Sequence, residues 1–405
     1  MQNIKRLHII AFSYGMNFTS TIFTLYLLAN AISLQQVIVS QIVYAVASFA
    51  GEIPSGMLSD RLGHKRLITI SYGMLIISPV LMLVSPSVLT LYVGQALNGF
   101  AGAGLSGSQE ALYYDSYNLE KGSLKGYKKS FAQFSSLPIL GFISSSVLAG
   151  LLLQIFNKGS YQPLYLLNTA SAVITTILAV RLHHINDKTE AKDESPIKLF
   201  KESIATIRGN KLLFSLAMFG LLSLNGEYFL RQTYQPHFQQ AHVLPLFMGL
   251  VLAIGSALNY IVTRHSYKLE KYLNLEHILL LHSLLQGILF VVLGSLGTPW
   301  PLVLVFILLF GMFNAQNPIV SDYVNVRISS QQRATVLSTI SFIRQLGQTG
   351  IRFIYAYLIG SLGIAASYKI QGAYLIVGGL IGYWLLVKCG CSYSTTEHSL
   401  GQETN

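Results

Sequence analysis

The sequence is short of charge. Only 11% of its 405 residues are Asp, Glu, Lys or Arg, whereas a soluble domain carries about 25%. The mean hydropathy is +0.51, and apolar runs of about twenty residues, long enough to cross a bilayer as helices, recur along the whole chain. These features predict a polytopic membrane protein and argue against a soluble protein with a large core.

Other common features are also scarce. The two cysteines, Cys389 and Cys391, lie together in the tail, where they cannot cross-link the fold, and we interpret them as free thiols rather than metal ligands. The sequence contains no phosphate-binding Gly-Lys-Ser/Thr motif and no clustered metal ligands. We therefore expect no metal, no cofactor, no direct use of ATP and no enzymatic activity. The first apolar run lacks a cleavage-site pattern and is interpreted as a retained helix.

Twelve apolar spans predict an all-α membrane protein with twelve transmembrane helices. A polar connector, residues 183–210, divides them into an N-terminal six-helix bundle (1–182) and a C-terminal six-helix bundle (211–390), which a tail (391–405) follows. The connector is interpreted as a cytoplasmic linker, either disordered or with a short surface helix. The spans are 8–30, 34–58, 67–85, 87–112, 129–155, 162–182, 211–235, 243–265, 275–297, 299–322, 334–361 and 365–388.

The distribution of Lys and Arg predicts the orientation. Of 27 such residues, 22 fall in the connectors on the side of the two termini, and only Lys158 and Lys369 fall on the other side. Cytoplasmic connectors carry the excess of basic residues, so both termini are expected in the cytoplasm. The net charge of +11 is explained by this topology, and no nucleic-acid binding is expected.

The two halves resemble each other in sequence. The fourth span ends in EALYYDSYN and the tenth in NPIVSDYVN, so that Asp115 corresponds to Asp322 and Asn118 to Asn325. Both pairs are separated by 207 positions (322 minus 115, and 325 minus 118), which spans six predicted helices. Such an internal repeat is typical of transporters.

The stretch GMLSDRLGHKR, residues 56–66, concentrates charge between the second and third spans. It resembles the signature of the major facilitator superfamily, Gly-x-Leu-x-Asp-Arg-x-Gly-Arg-Lys/Arg, and departs from it at His64. The resemblance covers essentially the whole chain and implies the major facilitator fold, two six-helix bundles around a central cavity. The matching residues are Gly56, Leu58, Asp60, Arg61, Gly63, Lys65 and Arg66.

In that family the stretch acts as a cytoplasmic latch. The resemblance implies that Asp60 faces the N-terminus of the eleventh helix, that Arg61 reaches Asp115, and that Gly56 and Gly63 permit close approach and a tight turn. We assign Asp322 and Arg333 of the second half to the same latch. Alternatively the charges only keep the loop in the cytoplasm, which accounts for part of the role of Lys65 and Arg66.

Two shorter stretches, GEIPSG (51–56) and QRATVLS (332–338), resemble bacterial efflux-type members of the family. This implies export across the bacterial cytoplasmic membrane. Two departures weaken a standard drug–proton exchange. Gln95 stands where many antiporters have Arg, and the fifth span keeps Gly141 but lacks their Gly-Pro pair.

Ionisable residues within spans are costly and predict functional positions. Arg344, Arg352 and Arg231 are candidates for the wall of a substrate cavity. The alternative for Arg344 is pairing with a helix-end carbonyl or a neighbouring acid, and for Arg352 it is extension of the side chain to the outer membrane surface. Glu227 and Arg231, four positions apart, can pair on one helix face, either as a self-neutralised structural pair or as a proton carrier and its partner.

Two further acids are candidates for proton coupling. Glu110 is the better of the two, and for both the alternative is a place in the cytoplasmic latch network. Polar residues in apolar spans add three cavity candidates, Tyr14, Asn17 and Gln235. For Tyr14 and Asn17 the alternative is helix-to-helix hydrogen bonding, and for Gln235 it is a place in the interfacial aromatic belt.

Together these features predict a secondary active transporter that moves a small organic molecule by alternating access. Proton-coupled export of a drug or toxic compound is the leading hypothesis. An anionic metabolite, such as a carboxylate siderophore, moved in either direction, is the alternative, and a non-transporting membrane sensor is a remote one. The expected partners are the solute, protons and membrane lipid, and the protein is expected to be a monomer.

Overall fold

The structure is a computed structural model. It describes residues 3–123, 126–155, 161–183, 209, 211–224, 226–320, 323 and 330–388. Within these ranges only the backbone is described for Ile53, Asp60, Lys128, Leu212 and residues 330–342. The described part of the chain is helical and contains no strand. The predicted surface helix near 197–207, the cysteines of the tail and Asp322 lie outside it.

The helices follow the predicted apolar spans closely. Nine described segments are long and apolar enough to cross a membrane. The prediction of twelve is consistent with this number, because spans one and four are each divided into shorter helices and spans eleven and twelve form one run. The helices are α1 (Asn3–Gly15), α2 (Phe23–Ala29), α3 (Leu34–Leu62), α4 (His64–Val84), α5 (Val88–Leu105), α6 (Ser108–Lys121), α7 (Tyr127–Ile155), α8 (Gln162–Val180), α9 (Lys211–Leu222), α10 (Glu227–Gln240), α11 (Pro245–His265), α12 (Leu275–Leu293), α13 (Pro299–Met312) and α14 (Ser330–Lys388).

Local signals in the sequence set several helix ends. At the start of α3, the Ser33 hydroxyl accepts a hydrogen bond from Gln36 N, and the Gln36 side chain accepts one from Ser33 N, which forms a capping box. Ser87 and Thr90 form a similar box at the start of α5. Gly363, with φ of 78°, interrupts α14 and separates the eleventh span from the twelfth.

The chain divides into two compact units. Unit 1 comprises Met1–Asp193, Gln232–Gln239 and Val243–Ala253, and unit 2 comprises Glu194–Arg231, Gln240–His242 and Ile254–Asn405. Buried apolar side chains hold each unit together. In unit 1 they form one cluster around Leu7, Ile68 and Tyr113 and another around Ile22, Leu27 and Leu164, and in unit 2 a cluster forms around Leu279, Ile319 and Leu386.

The first helix of each set of three spans is broken. The breaks follow Gly15, Leu105, Leu222 and Met312. The second pair lies 207 positions after the first (222 minus 15, and 312 minus 105), and the interval within each pair is 90 positions (105 minus 15, and 312 minus 222). The repeat predicted from two short sequence matches therefore extends to the backbone, within the one or two residues by which helix ends are defined.

Side chains of neighbouring helices satisfy the backbone groups freed at these breaks. At the first break, Asn17 N donates to Ser145 Oγ at 3.0 Å, and Ser171 Oγ donates to Ser13 O at 2.9 Å. At the third break, Gln371 Nε2 donates to Leu224 O at 3.1 Å. Irregular backbone at membrane depth needs such partners, so the breaks are built into the fold.

Candidate functional site

The latch sequence lies on two helix ends rather than in a loop. We predicted a connector, but α3 continues to Leu62 and α4 begins at His64, so Gly63 alone joins them. Gly63 has φ of 82° and ψ of 150°, a conformation that favours glycine. The tight turn is therefore present at Gly63, and the charges of this stretch lie on helical residues.

A polar contact links this turn to the broken fourth span. Ser59 Oγ lies 2.6 Å from His64 Nδ1 and 3.3 Å from Ser108 Oγ. Ser108 begins α6, directly after Gly107, which has φ of 71°. His64, the one departure from the family signature, thus takes part in the contact between the second, third and fourth spans.

Of the charged partners implied by the resemblance, the structure describes the side chains of Arg61 and Asp115. Arg61 is exposed, and Asp115 is half-buried. Among the described residues the two form no ion pair with each other, and Asp115 has an interaction of its own. Lys65 is half-buried and Arg66 is exposed. Apart from its chain neighbours and the adjoining backbone of its own helix, no described atom lies within 4 Å of the position that a Cβ of Gly56 would take.

The latch remains a prediction. The side chains of Asp60 and Arg333 lie outside the described residues, as does Asp322.

Glu227 and Arg231 form the predicted pair. Arg231 Nη2 and Nε donate to Glu227 Oε1 at 2.8 and 3.0 Å, and the guanidinium lies 4.5 Å from the centre of the Phe310 ring. The Glu227 side chain is 20% exposed. Glu227 is the first residue of α10, so the pair lies directly after the break in the seventh span.

Arg352 lies at the same break. It is 6% exposed, and its guanidinium lies 4.2 Å from the centre of the ring of Tyr228, the neighbour of Glu227. The cationic groups of Arg231 and Arg352 thus lie beside the first turn of α10, where a helix N-terminus also favours negative charge.

Arg344 has a different environment. Its Nη1 donates to Asn317 Oδ1 at 3.3 Å, Asn317 Nδ2 donates to Asn314 Oδ1 at 3.1 Å, and Asn314 Nδ2 donates to Asn259 Oδ1 at 3.3 Å. Asn259 Nδ2 ends the chain on the carbonyl of Phe310 at 3.0 Å. We call these three asparagines with Arg344 the amide ladder. The amide ladder lies at the break in the tenth span. Arg344 and Arg352, which were both cavity candidates, have different described partners.

His282 contacts the same break from α12. Its Nε2 lies 2.8 Å from the carbonyl of Met312, the last residue of α13, and 3.2 Å from Gln286 Nε2. His282 is buried. The broken tenth span is therefore lined by polar groups in an otherwise apolar bundle.

The other two acids are exposed. Glu52 lies on α3, and Glu110 lies in the first turn of α6. Burial raises the pKa of the Tyr127 phenol, and the Glu110 carboxylate raises it further, which places Glu110 beside the aromatic residues at the start of α7. Of the three acids, Glu227 is the one with a described arginine partner.

The cavity candidates Tyr14 and Asn17 of unit 1 have different environments. Tyr14 is 44% exposed and its ring packs edge-on against Tyr72 at 5.5 Å, so it remains a candidate. The Asn17 side chain accepts a hydrogen bond from Ser20 N and thereby caps the turn at the first break.

Gln235 is fully buried. Its Oε1 accepts hydrogen bonds from Thr24 N at 2.9 Å and Leu25 N at 3.2 Å, and its Nε2 donates to Ser20 O at 2.8 Å. Gln235 thus connects α10 with α2 by hydrogen bonds, a role that the sequence did not predict.

Sequence reasoning missed the three asparagines of the amide ladder and His282. Asn314 and Asn317 are three positions apart, a spacing that predicts a shared face in a continuous helix, and both follow a long apolar run. That spacing was a usable signal, although asparagine carries no charge and is common in loops. Nothing in the sequence connects Asn259 with them, because their contact depends on how α11 packs.

Comparisons with known proteins agree with this architecture. The family model described as Major Facilitator Superfamily matches residues 7–350. The MFS-type transporter YxaM of Bacillus subtilis (strain 168) is 20% identical over 373 residues, which cover 90% of each chain.

Among solved structures, the nucleoside transporter NupG superposes with a TM-score of 0.80 at 15% identity and covers 95% of this chain and 99% of its own. The D-xylose–proton symporter superposes with a TM-score of 0.68 at 14% identity and covers 96% and 98%. These likenesses show a common fold. The chain therefore belongs to the major facilitator superfamily and is a membrane transporter, not an enzyme.

Proposed function

We propose that this protein is a proton-coupled secondary active transporter that exports a small organic solute by alternating access. The observation that carries the coupling is the Glu227–Arg231 pair at the break of the seventh span. A carboxylate held by an arginine stays charged, and it takes up a proton more readily when the arginine is drawn away. Glu227 begins α10, directly after the break, so that unwinding of this first turn or a change of side-chain rotamer would separate the two groups.

The export direction rests on the resemblance of GEIPSG and QRATVLS to efflux-type members, and it stays a prediction. The same holds for the bacterial cytoplasmic membrane as the location. The alternative, transport of an anionic metabolite, is favoured by one observation, the amide ladder around Arg344.

The coupling is tested by replacing each candidate acid in turn. We expect Glu227→Gln to reduce solute-driven proton movement in proteoliposomes to the level of empty liposomes, because the neutral amide cannot exchange a proton. Glu52→Gln and Glu110→Gln are matched controls with the same change of charge, and both should retain proton movement. Equal activity of Glu227→Gln and the wild type would refute the assignment.

The direction is tested by loading right-side-out and inverted vesicles with a panel of dyes and organic acids. An exporter accumulates its solute inside inverted vesicles when their interior is acidified. Accumulation in right-side-out vesicles alone would instead identify uptake.

A further inference from the structure

We propose that the transported solute carries a carboxylate or a related oxyanion, and that Arg344 with the amide ladder is the site that binds this group. The proposal rests on the proposed function and names the chemical class of its solute. The proposal depends on which groups compensate the positive charges of Arg231 and Arg344.

The charge of Arg231 is compensated within the protein. The carboxylate of Glu227 lies 2.8 Å from Arg231 Nη2. An arginine in such a pair contributes little positive potential to a solute unless the carboxylate is first protonated or displaced.

Among the described side chains, Arg344 has a polar partner that is not an acid. No carboxylate among the described side chains pairs with it, and its described partner is the neutral carboxamide of Asn317. A guanidinium has five N–H donors in a planar fork that matches the two oxygens of a carboxylate. One of these donors is used by Asn317, and Arg344 is half-buried rather than fully enclosed.

The amide ladder has a direction. Every carboxamide turns its oxygen towards Arg344 and its NH₂ group away from it, and the last NH₂ group, that of Asn259, donates to the Phe310 carbonyl. Such chains of hydrogen bonds polarise one another in a low dielectric. The ladder therefore stabilises and orients the guanidinium by dipoles, whereas an ion pair would cancel its net charge.

The ladder is anchored to the repeat architecture. Asn314 lies in the break of the tenth span, and Asn259 lies on α11. Two glycines permit close packing of α11 against α13: Gly255 of α11 faces Phe310, and Gly311 of α13 faces Leu258. A movement at this break would shift the ladder and with it the guanidinium. Binding of an anion and the conformation of the tenth span are therefore coupled.

The experiment measures equilibrium binding to the full-length protein in detergent. The probes are carboxylic acids, each paired with its own amide: benzoate with benzamide, nicotinate with nicotinamide, and succinate with succinamide. Binding is followed as the ligand-induced rise in the midpoint of thermal unfolding. We expect at least one acid to stabilise the wild-type protein at millimolar concentration and its amide to do so less.

Two variants separate charge from shape. Arg344→Gln should weaken binding of the acid about tenfold to a hundredfold, as expected for losing a charge-assisted hydrogen bond. Asn317→Asp keeps Arg344 but gives it a carboxylate partner, and it should weaken binding of the acid similarly while leaving binding of the amide unchanged. Arg264→Gln, an exposed arginine at the end of α11, is the matched control and should bind as the wild type does.

The proposal is wrong if no acid stabilises the wild-type protein, or if Arg344→Gln or Asn317→Asp binds the acid as tightly as the wild type. Equal binding of acids and amides would also overturn it. These outcomes are independent of the coupling test, because equilibrium binding needs no proton gradient. Proton movement that depends on Glu227, together with no binding of acids, would leave the proposed function standing and remove this inference alone.

Discussion

Single glycines decide where helices of each unit come closest. A Cβ on Gly15 would meet the backbone carbonyl of Pro138 in α7, and a Cβ on Gly378 would meet the carbonyl of Leu222 at the end of α9. Backbone atoms cannot move aside as a flexible side chain can. Both residues adjoin or pack against a helix break, so their small size holds the broken spans in place.

Gly15→Ala should therefore destabilise the protein, by ~1–3 kcal/mol as typical for overpacking. Gly73, inside α4, has open space around it, and Gly73→Ala should be neutral or stabilising by up to ~1 kcal/mol through helix propensity. Thermal unfolding of both variants in the same detergent provides the comparison. A lower midpoint for Gly73→Ala than for Gly15→Ala would contradict this packing argument.

At the residue scale the sequence pointed to part of the site. Arg344, Arg231 and Glu227 were predicted because a charge in an apolar run is costly and therefore informative. The asparagines of the amide ladder and His282 were not predicted, because their importance lies in their partners. Asn259 and Asn314 are more than fifty positions apart, and no local pattern reports such a contact.

The helix breaks are the main finding at the scale of elements. Hydropathy predicted where the spans lie, because it averages over about twenty residues. The same averaging conceals an interruption of a few residues. The groups that satisfy each break come from distant spans, such as Ser145 for Asn17 and Gln371 for Leu224, so that the breaks become apparent only in three dimensions.

Gln371 is the residue whose loss should affect a break most. Its carboxamide donates to the Leu224 carbonyl and accepts from the Tyr355 hydroxyl, and all three residues are buried. Gln371→Leu would leave two buried polar groups unpaired, and each costs ~1–3 kcal/mol. We expect a clearly lower midpoint of thermal unfolding.

Ser361→Ala is the control in the same helix, because Ser361 is exposed and its hydroxyl bonds only within its own turn. It should unfold within about 0.5 kcal/mol of the wild type. If both variants unfold alike, the contact at Leu224 does not stabilise the break.

For the whole molecule, the predicted topology can be tested with the two native cysteines. Cys389 and Cys391 lie in the tail that we place in the cytoplasm. A membrane-impermeant maleimide should label them in inverted vesicles but not in intact cells. Labelling in intact cells would reverse the orientation derived from the basic residues.

A position on the opposite side completes the test. Lys158→Cys, in a background with both native cysteines replaced by serine, should be labelled in intact cells. Absence of labelling there, in protein that is labelled after solubilisation, would contradict the predicted side of that connector.

The junction at Gly63 limits how the second and third spans can move. Adjacent Cα atoms are about 3.8 Å apart, so one connecting residue keeps the ends of α3 and α4 within a few ångströms of each other in every state of the transport cycle. The two helices can swing about this point, as two rods joined by a pin, but they cannot slide past or separate. A displacement of either helix end at this junction therefore moves the end of the other helix with it.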